Sequence, residues 1–184
     1  MIPSIHILNA SLIREHDLDN IAHAVQRVFG LPVHGKKIVP DINLAFDSSR
    51  GQYNSTALLA QILSNGNPKN EKQILVVDVD LYIPVLTFVF GEAQLGGTTA
   101  IVSTHRLRNQ FYGLRHDDGI LLERLEKEIV HELGHTFGLY HCHQFECVMR
   151  SSTYVEEIDL KLVSPCEECK KILQAQVSNE THSM

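Results

Sequence analysis

Residues 131–147 read HELGHTFGLYHCHQFEC, and this stretch governs how the rest of the chain is interpreted. Residues four apart on a helix lie one turn above each other, so His131 and His135 can present two imidazoles to one metal ion. Glu132 lies beside that pair, close enough to accept a proton from an attacking water. Gly138 can adopt a left-handed conformation that ends the helix and returns His141 toward the same metal. Three imidazoles and an open position predict a catalytic zinc site.

The alternative is an amphipathic helix whose histidines are solvated by chance. The apolar pattern argues against it, because residues at three- and four-residue steps form a core stripe: Leu122, Leu125, Ile129, Leu133 and Phe137. Leu133 lies about 200° around the helix axis from each histidine, at 3.6 residues per turn. One side of the helix therefore packs into the core. The other side presents two imidazoles and a carboxylate, which predicts the floor of a cleft.

Length and composition indicate an ordinary globular protein. The chain has 184 residues, 43% of them hydrophobic and 21% charged, which predicts a single domain with a real core. Its net charge of −6 and scattered basic residues make nucleic acid an unexpected partner. Residues 1–8 lack the pattern of a signal peptide, and no run approaches the ~20 apolar residues of a membrane span. We expect a cytoplasmic monomer with no membrane partner.

The four cysteines all lie in the last quarter of the chain, as Cys142, Cys147, Cys166 and Cys169. The spacing of the last two lets two thiolates bind one zinc ion. Two disulfides or a redox dithiol are the alternatives. Disulfides are disfavoured in a reducing cytosol, and a thioredoxin-like motif would not lie in a C-terminal segment. The pattern favours a closed zinc site that ties the segment after the active-site helix to a helix near residues 170–176.

The remaining sequence predicts alternating strands and helices, which implies a mostly parallel sheet. Breakers at Asn65–Pro68 end one helix, and Asp117 or Asp118 caps the long helix that carries the site. Residues 41–54 are predicted to be loop, and the tail from 177 to be frayed. The predicted strands are 4–8, a short one within 31–39, 74–80, 86–91 and 99–104, and the further helices are 17–29 and 55–64. Residues 92–95 are predicted to be a short exposed edge, or a plain surface turn.

The pattern of residues 131–141 resembles the zinc signature of the metzincin metalloproteases. More narrowly, the surrounding cysteines, Met149, and the segments 86–97 and 102–107 resemble the archaemetzincins. The resemblance implies an α/β (α+β) metzincin-like fold: a mixed, twisted sheet with an antiparallel edge strand, a long active-site helix, a Met-turn at Met149, and a small zinc-stapled C-terminal subdomain. It implies one metalloprotease domain over 1–184, divided into subdomains 1–138 and 139–184.

The same resemblance implies two zinc ions per chain. The catalytic ion would be held by His131, His135 and His141, with Glu132 as the general base. The second, structural ion would be held by Cys142, Cys147, Cys166 and Cys169. Many metzincins place a tyrosine two residues after the Met-turn methionine, but this position is Ser151 here. The candidates for stabilising an oxyanion are therefore His105, Arg106, Tyr140 and Tyr154.

Three functions are compatible with these residues. The first is a zinc metallopeptidase that hydrolyses peptides or proteins, with residues Glu92, Ala93, Gln94 and Leu95 binding the substrate as an edge strand. The second is a zinc-binding protein of the same fold with a blocked or non-proteolytic cleft that binds a peptide or partner. The third is an aminopeptidase, in which a carboxylate such as Glu92 would hold the free amine.

Overall fold

The structure is a computed structural model that describes residues 3–64 and 71–182. Eight strands, numbered in chain order, form two sheets: β1 (Ser4–Asn9), β2 (Val33–Lys37), β3 (Phe46–Asp47), β4 (Gln52–Asn54), β5 (Glu71–Val77), β6 (Leu81–Tyr82), β7 (Gly91–Ala93) and β8 (Thr99–Ser103). The larger sheet has the order β2-β1-β5-β8-β7. Its first four strands are parallel, and β7 pairs antiparallel with β8 at the edge. The small sheet is β3-β4-β6.

The described ranges also contain five α-helices: α1 (Glu15–Phe29), α2 (Ser55–Ser64), α3 (Asp118–Thr136), α4 (Val155–Asp159) and α5 (Glu167–His182). None of the helices in the described ranges combines the length and apolar character needed to cross a membrane. The mixed sheet with its antiparallel edge strand and long helix confirms the predicted fold class.

Alternation along the central strands gives the sheet a hydrophobic core on each face. Ile74 and Val76 of β5 face the larger core, which contains α1 and α3. Leu75 and Val77 face the smaller core, which contains α2. The continuous apolar run of β5 is thus explained by burial on both faces, as expected for a central parallel strand.

Helix α3 lies across the larger core and has clear boundaries. The Asp117 side chain accepts a hydrogen bond from the backbone N–H of Ile120 at 3.0 Å, which satisfies a free donor at the N-terminus. Four residues of the predicted stripe are buried, with Leu125, Ile129 and Leu133 fully inaccessible, and Leu122 is partly buried. The helix ends at Thr136, and Gly138, two residues later, turns the chain with a φ of +82°, in the left-handed region.

Most predicted elements are confirmed, and three predictions are wrong. Residues 41–54 form a 3₁₀ turn and two short strands instead of a loop. Residues 86–90 are not a strand, because the side chains of Arg50 and Gln52 donate hydrogen bonds to the carbonyls of Leu86 and Thr87. The tail is helical as far as His182, and Glu180 pairs with the buried Lys72 at 2.7 Å. The breaker cluster Asn65–Pro68 lies outside the described residues.

Arg124 joins α3 to α4 and to the loop before α3. Its guanidinium, 6% exposed, donates two hydrogen bonds of 2.7 Å to the Asp159 carboxylate. It also donates to the carbonyl of Leu107 and to Oδ1 of Asn109, both at 2.9 Å. The larger core likewise contains residues from both predicted subdomains, including Leu133 and Ile158. The division at residue 138 therefore stays a prediction.

We expect Arg124→Met to lower the free energy of unfolding by about 3 kcal/mol, because it leaves buried oxygens without a donor at about 1–3 kcal/mol each. Urea unfolding at constant zinc concentration measures the change. The control is Arg14→Met, which breaks an exposed pair with Asp17 and should leave the unfolding midpoint near the wild-type value. Equal effects of the two substitutions would contradict this role for Arg124.

Candidate active site and metal centres

The three predicted histidine ligands lie together at the end of α3. His131 and His135 occupy successive turns of the helix, and the turn at Gly138 brings His141 back to them. One nitrogen from each ring lies within 4.8 Å of the others. His131 is 5% exposed, whereas His141 lies at the surface of the site.

Hydrogen bonds fix which nitrogen of each helical histidine faces the centre. Nδ1 of His131 lies 2.8 Å from the carbonyl of Val148, and Nδ1 of His135 lies 2.7 Å from the carbonyl of Leu139. A carbonyl only accepts, so each Nδ1 carries the proton and each Nε2 has a free lone pair. Burial lowers the pKa of both imidazoles and of His141, which keeps the rings neutral.

The spacing of these lone pairs fits a metal ion. The Nε2 atoms of His131 and His135 are 3.1 Å apart, where two uncharged acceptors repel each other. Two nitrogens at ~2.0–2.1 Å from a tetrahedral zinc are about 3.3 Å apart. The donor set is therefore one that zinc would satisfy, and the third imidazole leaves one tetrahedral position for another ligand.

A tight turn passes beneath the histidines, as predicted for Met149. The backbone N–H of Arg150 donates to the carbonyl of Cys147 at 3.0 Å, and Met149 is fully buried. Its sulfur packs so closely against Gly134 that a Cβ at this position would collide with it. Gly134, on the helix between the two histidines, is thus required by the contact with Met149.

Glu132 lies beside the imidazoles and lines the same cavity. It is 5% exposed, and burial raises its pKa well above the usual range, with the negative charge of Glu128 adding to the effect. A bound divalent cation would oppose that shift. Gly91 of β7 makes room for the carboxylate: a Cβ there would lie 2.6 Å from Oε1 of Glu132.

The four cysteines also converge, and they are free thiols. Their sulfurs all lie within 4.8 Å of one another, and those of Cys142 and Cys166 are 3.8 Å apart. That distance is far longer than the ~2.05 Å of a disulfide. It matches the roughly 3.8 Å between two sulfurs at ~2.3 Å from a tetrahedral zinc. Burial raises the pKa of Cys147 and Cys169, so a cation is needed to hold them as thiolates.

The two clusters are connected through the turn at Met149. The backbone N–H of Cys142 donates to the carbonyl of Met149 at 2.9 Å, and Val148, which orients His131, is the residue between Cys147 and Met149. The segment that carries two of the sulfurs therefore also fixes one of the imidazoles.

A cavity of about 590 Å³ opens above the histidines and Glu132. The edge strand β7 forms one wall, so the predicted exposed edge lies where a peptide could add to the sheet. Glu92, Ala93 and Leu95 line this cavity, but Gln94 does not. Of the four oxyanion candidates, Tyr140 alone lines it, and Arg106 instead binds the Asp80 carboxylate.

Glu92 is held in place by helix α2. Its carboxylate accepts hydrogen bonds from the hydroxyl of Ser55 and, at 2.8 Å, from that of Thr56. Both residues are in the first turn of α2, where the helix dipole also favours a negative charge. The contacts of Glu92 therefore fix the edge strand against α2.

Sequence reasoning missed two further residues of the cavity wall. Glu128, one turn before Glu132, and Ser152, after the Met149 turn, both line the cavity. Lys161 pairs with Glu128 from behind, at 3.5 Å. The four-residue step from Glu128 to Glu132 was a visible signal for the carboxylate. The pairing with Lys161 depends on a contact 33 residues apart in sequence.

Comparison with known proteins agrees with this geometry. The model of Peptidase family M54 matches residues 26–175. The archaemetzincin of Methanocaldococcus jannaschii is 41% identical over 160 residues, covering 85% of this chain and 87% of the relative. The crystal structure of the archaemetzincin from Methanopyrus kandleri is similar, with a TM-score of 0.83, 33% identity and 96% of each chain covered.

A second solved structure, described as a zinc-dependent peptidase from Methanocorpusculum labreanum, also has a TM-score of 0.83. It is 32% identical, and the match covers 92% of this chain and 99% of that chain. The family match, the archaemetzincin relatives and the shared fold agree with the resemblance carried by residues 131–169. This chain belongs to peptidase family M54, the family of the archaemetzincins.

Proposed function

We propose that this chain hydrolyses peptide bonds at the cavity above α3, with Glu132 as general base and His131, His135 and His141 as the ligands of a catalytic zinc ion. The observation that carries the proposal is that the three imidazoles and the Glu132 carboxylate all line one open cavity bounded by an edge strand. Membership of a peptidase family makes peptides or proteins the substrates.

The residues of the site suit a general-base mechanism. Zinc, when bound, supplies a Lewis acid that polarises a carbonyl and makes water more acidic. The backbone of β7 positions an extended peptide by strand pairing, which places a carbonyl near the imidazoles. A carboxylate oxygen of Glu132 takes a proton from the attacking water and then delivers it to the leaving amine. Tyr140 is the side chain best placed to donate a hydrogen bond to the developing oxyanion.

The four cysteines, in this proposal, hold a second zinc ion with a structural role. Their sulfurs all lie within 4.8 Å of one another, which is close enough to share one ion, and four ligands complete a tetrahedral shell without an open position. The ion would tie Cys142 and Cys147 to α5 through Cys169. Since the same segment orients His131, this ion would also stabilise the catalytic centre.

The cavity favours an enzyme over a protein with a blocked cleft. The segment after Met149 borders the cavity through residues 151–153 but leaves about 590 Å³ open. Glu92, in turn, favours an endopeptidase over an aminopeptidase. Its carboxylate already accepts hydrogen bonds from Ser55 and Thr56, and each oxygen has only two lone pairs with which to bind an amine.

We expect Glu132→Gln to reduce the turnover number by on the order of 10²–10⁴-fold, because the amide cannot accept the proton from water. Zinc content should stay at the wild-type level. The matched control is Glu126→Gln, on the same helix and outside the cavity wall, which should keep wild-type turnover. Full activity in the Glu132 variant would remove this residue from the mechanism.

Metal analysis should find two zinc ions per wild-type chain, one for each ligand cluster. Cys169→Ser should lower the count to about one and reduce the thermal midpoint, because it removes a sulfur ligand that α5 contributes. His141→Ala should also remove one ion while leaving the cysteine ion bound. A wild-type protein with a single zinc, or with none at the cysteines, would disprove the second site.

Peptides with a free and with an acetylated N-terminus distinguish the two types of peptidase. We expect kcat/KM for the two peptides to differ by less than about tenfold, equal to roughly 1.4 kcal/mol. The reason is that the Glu92 carboxylate already accepts hydrogen bonds from Ser55 and Thr56 of α2. Mass spectrometry of the products should show cleavage within the peptide. Release of single N-terminal residues, abolished by acetylation, would instead assign an aminopeptidase.

A further inference from the structure

The cavity lining includes polar groups that the proposed reaction does not use. Among them are Glu128 of α3 and Ser152 of the segment after Met149. Glu128 lies four residues before Glu132, so the two carboxylates are on one face of the helix. Much of the rest of the lining is apolar and includes Ile83, Phe88 and Leu95.

Glu128 is buried together with a cation. The side chains of Glu128 and Lys161 are 4% and 1% exposed, and Nζ of Lys161 lies 3.5 Å from Oε1 of Glu128. Among residues 3–64 and 71–182, Lys161 is the one hydrogen-bond partner of the Glu128 side chain. Two charges buried in one pair cancel, so the wall has hydrogen-bonding capacity without net charge. The second oxygen of Glu128 is still able to accept a proton donor.

Ser152 contributes a hydroxyl without a partner. Within the described part of the chain, the Oγ of Ser152 is the one buried side-chain oxygen or nitrogen atom without a hydrogen-bond partner. Buried polar atoms are nearly always paired with protein, water or a ligand. Ser152 lines the cavity and its hydroxyl oxygen is buried without a partner, so a substrate atom that enters this side of the cavity is a partner that would satisfy it. The hydroxyl can donate a hydrogen bond as well as accept one.

We propose that Glu128 and Ser152 form a specificity subsite for a carboxamide side chain, that of glutamine or asparagine, in the peptide substrate. The amide NH₂ of the substrate donates to Glu128, and its carbonyl accepts from the Ser152 hydroxyl. Lys161 is a positioning residue that holds the Glu128 carboxylate and neutralises it. This inference rests on the proposed peptidase function and names the substrate class of that same site.

The net neutrality of the Glu128–Lys161 pair determines which substrate side chain the subsite prefers. A leucine in this subsite leaves Glu128 and Ser152 without partners. A lysine finds a carboxylate whose charge Lys161 already balances. A glutamate brings a further negative charge into the cavity that Glu132 also lines, and it has no proton donor to offer Glu128. A carboxamide, in contrast, offers a donor and an acceptor without adding charge.

The experiment uses zinc-loaded full-length protein and peptides in which one glutamine is moved through an otherwise fixed sequence of alanine and leucine. Mass spectrometry locates each cleaved bond. Cleavage should occur at a constant number of residues from the glutamine. Replacing that glutamine with leucine, lysine or glutamate should lower kcat/KM by about tenfold or more, the loss expected when a buried hydrogen-bonding pair is left unmade.

Two variants test the residues themselves. Ser152→Ala should reduce the preference for glutamine over leucine by about tenfold, without lowering the thermal midpoint, because it removes a hydroxyl that has no partner in the free protein. In Glu128→Gln, the amide oxygen can still accept a hydrogen bond from Lys161, but the NH₂ group replaces the oxygen that would accept one from the substrate. This variant should therefore also reduce the preference for glutamine over leucine. Ser178→Ala, on α5 outside the cavity wall, should keep the wild-type preference.

A cleaving enzyme whose preference is unchanged in both variants would overturn the subsite while leaving the peptidase function intact. The reverse case is tested by binding, using zinc-loaded Glu132→Gln protein and a fluorescent glutamine peptide. If the wild-type protein cleaves no peptide, but the peptide still binds about tenfold more tightly than its leucine analogue and Ser152→Ala removes the difference, the subsite stands and the peptidase function fails. Equal binding of both peptides would overturn the subsite.

Discussion

Two hydrogen bonds from histidine to backbone carbonyls hold the centre of this protein together. His131 and His135 each donate Nδ1–H, to Val148 and to Leu139, and each thereby turns Nε2 toward the middle of the site. The first carbonyl belongs to the tight turn at Met149 and the second to the chain after Gly138. Helix α3 and the C-terminal segment are therefore fixed against each other by the contacts that orient the proposed metal ligands.

The close packing around α3 follows from that constraint. Gly134 lets the sulfur of Met149 approach the helix between the two histidines, and Gly91 lets the edge strand approach Glu132. A side chain at either position would push apart two parts of the site that must stay in contact. The edge strand, the carboxylate and the imidazoles thus form one rigid arrangement, as expected where reacting groups need fixed positions.

Buried charge is handled differently at two positions of α3. In its first half, Arg124 makes four hydrogen bonds to Asp159, Leu107 and Asn109, which is a structural role. Lys161 instead has one distant contact with Glu128. Burying such a pair costs desolvation energy that a single long contact hardly offsets. A pair of this kind in a cavity wall is better explained by what the cavity binds than by stability, and this is the physical basis of the proposed carboxamide subsite.

The sequence alone determined which residues converge in the histidine and cysteine clusters, the position and polarity of α3, and the family. These depend on local rules: four-residue spacing places two histidines on one side of a helix, and a glycine permits the turn that returns His141. The boundaries of α2 and of the strands β1, β2 and β8 also followed from local patterns, to within about two residues. The conformation of residues 86–90 was not predictable from local patterns. The carbonyls of Leu86 and Thr87 accept hydrogen bonds from Arg50 and Gln52, which are more than 30 residues away.

Only the tertiary structure decided which groups meet across long sequence distances. It placed Lys161 behind Glu128, left the Ser152 hydroxyl unpaired at the cavity wall, and fastened Glu92 to the start of α2. It also placed Tyr140, alone among the four oxyanion candidates, in the cavity lining. The physical reason is that hydrogen bonds and ion pairs between distant segments depend on how whole elements pack, and neither the spacing nor the type of a residue encodes that packing.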